Sequence, residues 1–253
     1  MTTPTVIAEA RPPRRFLHTR LSGWSVYALL IAGLVRTFAF QPFNIPSGSM
    51  IPTLLIGDYL FVSKYSYGYS RYSFPFGLGF FSGRILDGAP ERGDVAVFRQ
   101  PPLNKVDFIK RLVGVPGDRI QLINGQLILN GQPVPRRRIE DHMSRDFRGN
   151  VRRVPQYIET LPDGRSYTVR ESLGDRGPAD NTREFVVPPD HYFAMGDNRD
   201  DSNDSRSWGF VPKDNLIGRA EIIFFSTDGS AGWLEPWGWI QATRFSRIFD
   251  SIE

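Results

Sequence analysis

Lys110 is one of four lysines in a chain with 31 basic residues, and it falls inside the apolar run Val106–Val113. In a strand, where side chains alternate, it shares a face with Val106, Phe108 and Leu112. Desolvation on such a face favours the neutral amine. It brings the pKa from about 10.4 towards roughly 7–8, a penalty of some 3–4 kcal/mol on the ammonium. A neutral amine can take the proton from a serine hydroxyl. Periodicity leaves a second reading equally open, a lysine that reaches the strand edge or pairs with a carboxylate.

A serine is offered by Pro46-Ser47-Gly48-Ser49-Met50-Ile51-Pro52-Thr53. Ser-Gly-Ser between two prolines is a constrained, non-helical turn that can expose a hydroxyl and aim backbone N–H groups at one point. The same composition also makes ordinary linkers. A third segment, Met195 to Phe210, carries Asp197, Asp200, Asp201 and Asp204. Read as a calcium loop from Asp200 it fails: Ser205 stands where the turn glycine belongs, and Val211 where the bidentate glutamate belongs. A buried network of ion pairs and hydrogen bonds that positions a base fits these residues better, and no metal or cofactor is expected. Arg92-Gly93-Asp94 reads as a turn entering a strand.

A Ser–His–Asp triad finds little to work with. His18 lies on the basic N-terminal arm, His142 in a polar stretch, and His191 at a strand start, where a lone histidine is usually structural. The absence of cysteine removes a thiol nucleophile and thiolate metal sites.

The elements that must hold these residues are mostly strands. The runs Asp58–Lys64, Asp94–Arg99, Val106–Val113, Arg119–Leu122, Gln126–Asn130, Tyr167–Arg170, Glu184–Val187, His191–Met195 and Ile217–Ser226 are rich in Val, Ile, Phe and Tyr. Asn124-Gly125 and Asn130-Gly131 are strong two-residue hairpin signals. Residues 131–186 turn polar, with Arg136-Arg137-Arg138 and Arg152-Arg153. They read as a β-rich insertion with a solvated charged face, set apart from the chemistry.

Before the strands, Leu21–Phe43 is apolar apart from Arg36, long enough at about 1.5 Å per residue to cross a hydrocarbon core of roughly 30 Å. Four arginines precede it and none of the lysines follows until Lys64, which places the N-terminus in the cytoplasm and the remainder outside. A cleaved secretory signal ending near Thr37-Phe38-Ala39 is the competing reading. The formal net charge of +4 comes mostly from that arm, so a nucleic-acid surface on the folded part is not expected. Phe74-Pro75-Phe76-Gly77-Leu78-Gly79-Phe80-Phe81 is too short and broken to span a bilayer. Either it packs on the core or, with Trp233, Trp237 and Trp239, it dips into the headgroup zone.

Taken in order, four segments carry a resemblance. They are Ser47-Gly48-Ser49-Met50-x-Pro52-Thr53 just past a membrane span, Arg92-Gly93-Asp94-Val95-x-Val97-Phe98, Lys110-Arg111-x-Val113-Gly114-x-Pro116-Gly117-Asp118, and Gly196-Asp197-Asn198-Arg199-Asp200-x-Ser202-x-Asp204-Ser205-Arg206. Over roughly Pro42 to Gly218 the chain resembles the bacterial type I signal peptidase (leader peptidase) family. The resemblance implies a membrane-bound serine endopeptidase that removes signal peptides from exported pre-proteins after small-x-small motifs.

It also implies roles. Ser49 matches the nucleophile and Lys110 the general base. The Ser47 hydroxyl and Ser49 N–H match the oxyanion hole, and Ser202 the residue that orients the lysine. Asp204 with Arg206 matches a supporting ion pair, and Arg111 with Asp197 is a candidate second pair. Met50, Asp107 and Phe108 would flank the bound peptide. Phe74, Phe76, Phe80, Phe81, Trp233 and Trp237 are candidates for contact with the bilayer of the bacterial inner membrane.

The expected fold is mostly β, a signal-peptidase-like core over 44–130 and 187–253. It carries a β-rich insertion over 131–186 and is preceded by a basic arm (1–20) and one transmembrane helix (21–43). Two rival functions share parts of this pattern: a membrane-tethered, non-enzymatic β-domain, and a self-cleaving Ser–Lys protein.

Overall fold

A computed structural model describes residues 23–74, 83–145, 151–232 and 234–252. Its strands are β1 (Phe40–Asn44), β2 (Asp58–Ser63), β3 (Val95–Arg99), β4 (Asp107–Gly114), β5 (Arg119–Ile123), β6 (Gln126–Leu129) and β7 (Gln132–Pro133). They continue with β8 (Arg136–Arg145), β9 (Val151–Thr160), β10 (Ser166–Arg170), β11 (Phe185–Val186), β12 (His191–Met195), β13 (Val211–Pro212) and β14 (Leu216–Ser226). The helices are α1 (Gly23–Leu34) and two single turns, α2 (Ser205–Trp208) and α3 (Trp239–Ala242).

β3 is apolar along nearly its whole length because both of its faces are covered. Val95 and Val97 join Ile45, Leu60, Val62 and Ile223 in one core, while Ala96 and Phe98 join Leu112, Tyr192 and Leu216 in another. The central sheet runs β1-β2-β14-β3-β4-β12-β13, with every neighbouring pair antiparallel. Beside it stands a second sheet, β11-β5-β6-β7. Its two hairpin turns are the expected ones, with Asn124, Gly125, Asn130 and Gly131 all at positive φ. β7 and β11, both within the expected insertion, therefore belong to this sheet.

The insertion proper is a three-stranded sheet, β10-β9-β8. The long hairpin of β8 and β9 is not legible in the sequence, because arginines interrupt the apolar face itself: Arg137 stands directly opposite Ile158, and Arg152 lies two residues before Val154. Arg137, Arg138, Arg152 and Arg153 are exposed as expected. The inner side differs from expectation. Arg170 donates its backbone N–H to Asp197 and accepts one from Arg199, so β10 runs on as a parallel bridge to the Asp197–Arg199 segment.

The N-terminal apolar stretch is shorter as a helix than as a sequence. Among the described residues no helix is long and apolar enough to cross a membrane. α1 passes into a π-helical turn, Val35–Ala39, and Phe40–Asn44 then leaves as an edge strand paired with β2. Pro42 explains the early end, since it cannot supply a helical N–H and disfavours helix for the residue before it. The expected boundary at residue 43 thus moves back to 39.

The carbonyls freed at the helix end are not left bare. Lys64 Nζ donates to Arg36 O (3.1 Å), Thr37 O (3.4 Å) and Ser73 O (2.5 Å), Tyr69 donates to Phe38 O (2.6 Å), and Lys64 N donates to Ala39 O (3.0 Å). A cation is well placed at the negative end of a helix. Burial, with the charge of Arg36 added, pushes the Lys64 amine down to about 8. Phe76, Phe80, Phe81 and Trp233 lie outside the described residues. Phe74 is half-buried against the rings of Phe38 and Tyr69, and Trp237 is 77% exposed.

Candidate active site

Three segments converge at one end of the central sheet: the turn after β1, the middle of β4, and the loop between β12 and α2. Ser49 sits in the turn, held from behind by the loop. Asn198 N–H donates to Ser49 O (3.1 Å) and Asn198 Nδ2 to Gly48 O (2.9 Å). Gly196 lets the loop come this close, because a Cβ there would meet Ser49 O at 2.5 Å and Ser202 Oγ at 2.2 Å.

Lys110 lies in β4 opposite Ala96, with Phe108 and Leu112 two residues to either side in one apolar cluster. The alternation read from the sequence holds over Phe108–Leu112, whereas Val106 lies before the strand and is exposed. The lysine is 4% exposed and its Nζ lies 2.6 Å from Ser49 Oγ and 3.0 Å from Ile109 O, with the Phe108 ring centroid at 5.2 Å. Burial pushes its amine down to about 8; Asp204 and Asp197 pull the other way, and Arg206 adds to the lowering. A buried amine that is neutral near pH 8 and in contact with a buried hydroxyl can accept that hydroxyl's proton.

Behind the lysine the acids form the expected pairs. Arg111, fully buried, donates to Asp197 through Nε (2.9 Å) and Nη2 (2.8 Å), to Gly93 O (2.8 Å), and lies 4.2 Å from the Tyr167 ring. Thr53 donates its hydroxyl to the same carboxylate at 2.5 Å, which ties the serine turn to the pair. Arg206 donates to Asp204 at 2.9 and 2.8 Å. Burial alone would push the Asp204 carboxyl up, but Arg206 and the Gly196 N–H outweigh it and hold it below the usual range.

Ser202 Oγ is buried and stands near enough to Asp204 to add to that pull, yet it makes no hydrogen bond of good geometry, to Asp204 or to Lys110. Met50 departs from expectation as well. It is fully buried among Ile45, Leu54 and Leu60, so it supports the turn from below and does not face a ligand. Asp107 and Phe108 do line the cleft.

That cleft, about 590 Å³, has Ser47, Gly48 and Ser49 on one wall and Asp107 to Lys110 on the other, with Phe43, Ile45 and Val97 as its apolar floor. His191 is elsewhere, in a depression with Arg84, Asp87 and Lys213, its Nδ1 2.8 Å from Pro189 O. Thr53 and Asn198 lie inside the sequence motifs, where nothing local marks a role for either. Their roles depend on contacts 144 and 150 residues away in sequence, which no local pattern reveals.

Known proteins are similar to this chain over most of its length. Residues 18–225 match the family model described as signal peptidase, peptidase S26. The chain is 41% identical to signal peptidase I of Rickettsia typhi over 245 residues, covering 89% of this chain and 90% of that one. Against signal peptidase I of Rickettsia prowazekii it is 41% identical over 249 residues, 91% and 92% of the two chains. A signal peptidase I crystal structure from Enterococcus faecalis is matched at 27% identity with a TM-score of 0.30, over 52% of this chain and 96% of that one. With a family match over most of its length, this chain belongs to the signal peptidases of peptidase family S26.

Proposed function

We propose that Ser49 and Lys110 are the catalytic dyad with which this signal-peptide-cleaving serine peptidase hydrolyses its substrates. The contact of 2.6 Å between a buried amine and a buried hydroxyl carries the reading. Membership of the signal peptidases of family S26 favours this reading over both the non-enzymatic binding domain and the self-cleaving protein.

In the proposed reaction the neutral Lys110 amine takes the Ser49 proton as Oγ attacks the scissile carbonyl. The oxyanion is met by the Ser49 N–H and the Ser47 hydroxyl. Lys110 then returns its proton to the departing amine, leaving an ester on Ser49, and a water activated by the same amine hydrolyses it. Asn198 holds the turn, and the Arg111–Asp197 and Arg206–Asp204 pairs hold the loop behind the lysine. Ser202 positions the lysine by packing, with Gly196, behind the dyad. The peptide lies extended between the Ser47–Ser49 and Asp107–Lys110 walls. The apolar floor beside Ser49 favours small, uncharged side chains next to the cut bond, as in an Ala-x-Ala ending.

Because only the neutral amine works as the base, kcat/KM for a pre-protein should rise with pH through about 8 and level off above it. With that pKa the neutral fraction grows about tenfold between pH 7 and pH 9. A profile that is flat or falling over this interval would remove Lys110 from the role.

The enzyme's proposed place is the bacterial inner membrane, held by the helix that includes α1, with the catalytic core on the outer side. Support comes from the surface beyond the helix end. Phe40, Tyr59, Phe61, Tyr65, Phe224 and Phe225 form one run of ring contacts along β1, β2 and β14. Trp237, Ile240, Phe245 and Phe249 are each more than half exposed in the C-terminal segment. Aromatic side chains favour the headgroup zone. Replacing Trp237 and Phe245 with serine should weaken binding of the core, cleaved from its helix, to anionic liposomes in a flotation assay. Unchanged flotation would take this face off the membrane.

A further inference from the structure

Three carboxylates outside the dyad meet where the insertion docks on the catalytic loop. Glu171 follows β10, Asp180 lies in the loop after it, and Asp200 belongs to the segment between β12 and α2. One oxygen from each lies within 4.8 Å of the others. Crowded acids alone mean little, but these are out of water: Glu171 and Asp180 are both 0% exposed.

Their oxygens also lack donors. Both oxygens of Glu171, Oδ1 of Asp180 and Oδ1 of Asp200 are buried without a hydrogen-bond partner. The remaining oxygens of the two aspartates are used, Asp180 Oδ2 by Gly177 N–H (2.5 Å) and Asp200 Oδ2 by Leu173 N–H (2.7 Å). The nearby arginines spend their shortest bonds on other acids, although Arg199 Nε and Arg206 Nη1 are themselves without a hydrogen-bond partner. Arg199 makes two bonds to Glu159 (2.9 and 2.5 Å), Arg206 is held by Asp204, and Arg136 pairs with Asp175 at 2.6 Å while standing 3.7 Å from Glu171. Gly177 crosses so close that a Cβ would lie 2.0 Å from Asp200 Oδ1, so only glycine lets the chain pass there.

Four buried carboxylate oxygens without a hydrogen bond are costly, and native proteins resolve such clusters with a counter-ion or a proton. One shared proton would satisfy two oxygens and leave two charges behind. A hard divalent cation is suited to the whole set. Calcium binds oxygens at about 2.3–2.6 Å, so ligands on its opposite sides stand about 4.6–5.2 Å apart, and magnesium takes the shorter end at about 2.0–2.1 Å per bond.

We propose that Glu171, Asp180 and Asp200 bind one calcium or magnesium ion that fastens the insertion to the catalytic loop. The ion would join β10, the loop after it and the residue two places before Ser202. It is separate from the dyad and takes no part in the proton transfers.

The test uses the full chain in detergent, stripped with EDTA and then titrated with calcium chloride or magnesium chloride. At a cation concentration about 100-fold above Kd, Tm should rise by about 5–10 °C, and calorimetry should give one ion per chain. Glu171→Gln and Asp180→Asn should each lose that rise, while Glu140→Gln, an exposed acid on β8, should keep it. Without added cation, Glu171→Gln should melt no lower than the parent, since it relieves the crowding of three buried acids. No binding and no shift in the parent chain, or an equal shift in the Glu171 and Asp180 variants, would overturn the proposal. Should a variant fail to fold, manganese-soaked crystals of the parent decide. An anomalous peak among the three carboxylates supports the site, and its absence rejects it.

Discussion

Lys110→Ala and Ser49→Ala should each lower cleavage of a pre-protein by about 10⁴-fold or more, while far-ultraviolet circular dichroism and Tm stay close to the parent's. The two residues act as one unit, so the double variant should be hardly worse than either single one. Loss of Lys110 also removes a buried amine that costs the fold energy, so Lys110→Ala is expected to unfold no earlier at pH 7. Ser47→Ala should fall between, about 10²–10³-fold down, the usual cost of losing one oxyanion donor. Lys110→Ala retaining activity within tenfold of the parent would refute the dyad, whatever the serine variant did.

Breaking the Arg111–Asp197 pair should give the largest loss of stability. Both side chains are 1% exposed and joined by two bonds, so removing one partner strands a charge in the core. Arg111→Ala should cost about 3–5 kcal/mol, and Asp197→Ala a similar amount. The double variant should cost clearly less than the sum, because neither charge is then stranded. Urea denaturation of the four proteins at pH 7 measures this. Strictly additive losses would mean that the pair contributes packing alone. Thr53 shares the carboxylate, so the same variants should also loosen the serine turn and lower activity in the surviving folded fraction.

Much of this site was legible because its physics is local. The prolines around Ser47-Gly48-Ser49 mark a turn, the period of two in β4 places Lys110 between Phe108 and Leu112, and Asn-Gly pairs fix two hairpins. What was not legible depends on contacts far apart in sequence. Met50 follows the serine directly, yet the strand arrangement turns it into the core. Glu159, Glu171 and Asp180 look like solvated charges in a polar stretch, and only the docking of β10 beside Asp197–Arg199 buries them. Phe40–Phe43 continues the apolar run and reads with the helix, but its pairing with β2 decides that it is a strand.

The capped end of the N-terminal helix has a mechanical meaning. Its last four carbonyls, from Arg36 to Ala39, are fastened to Lys64 and Tyr69, and the chain enters β1 without a linker. Nothing there can swivel, so rod and blade move as one rigid tool. In the proposed membrane setting the cutting height above the lipid is then a fixed offset, and bilayer thickness becomes a selector of which peptide bond is presented.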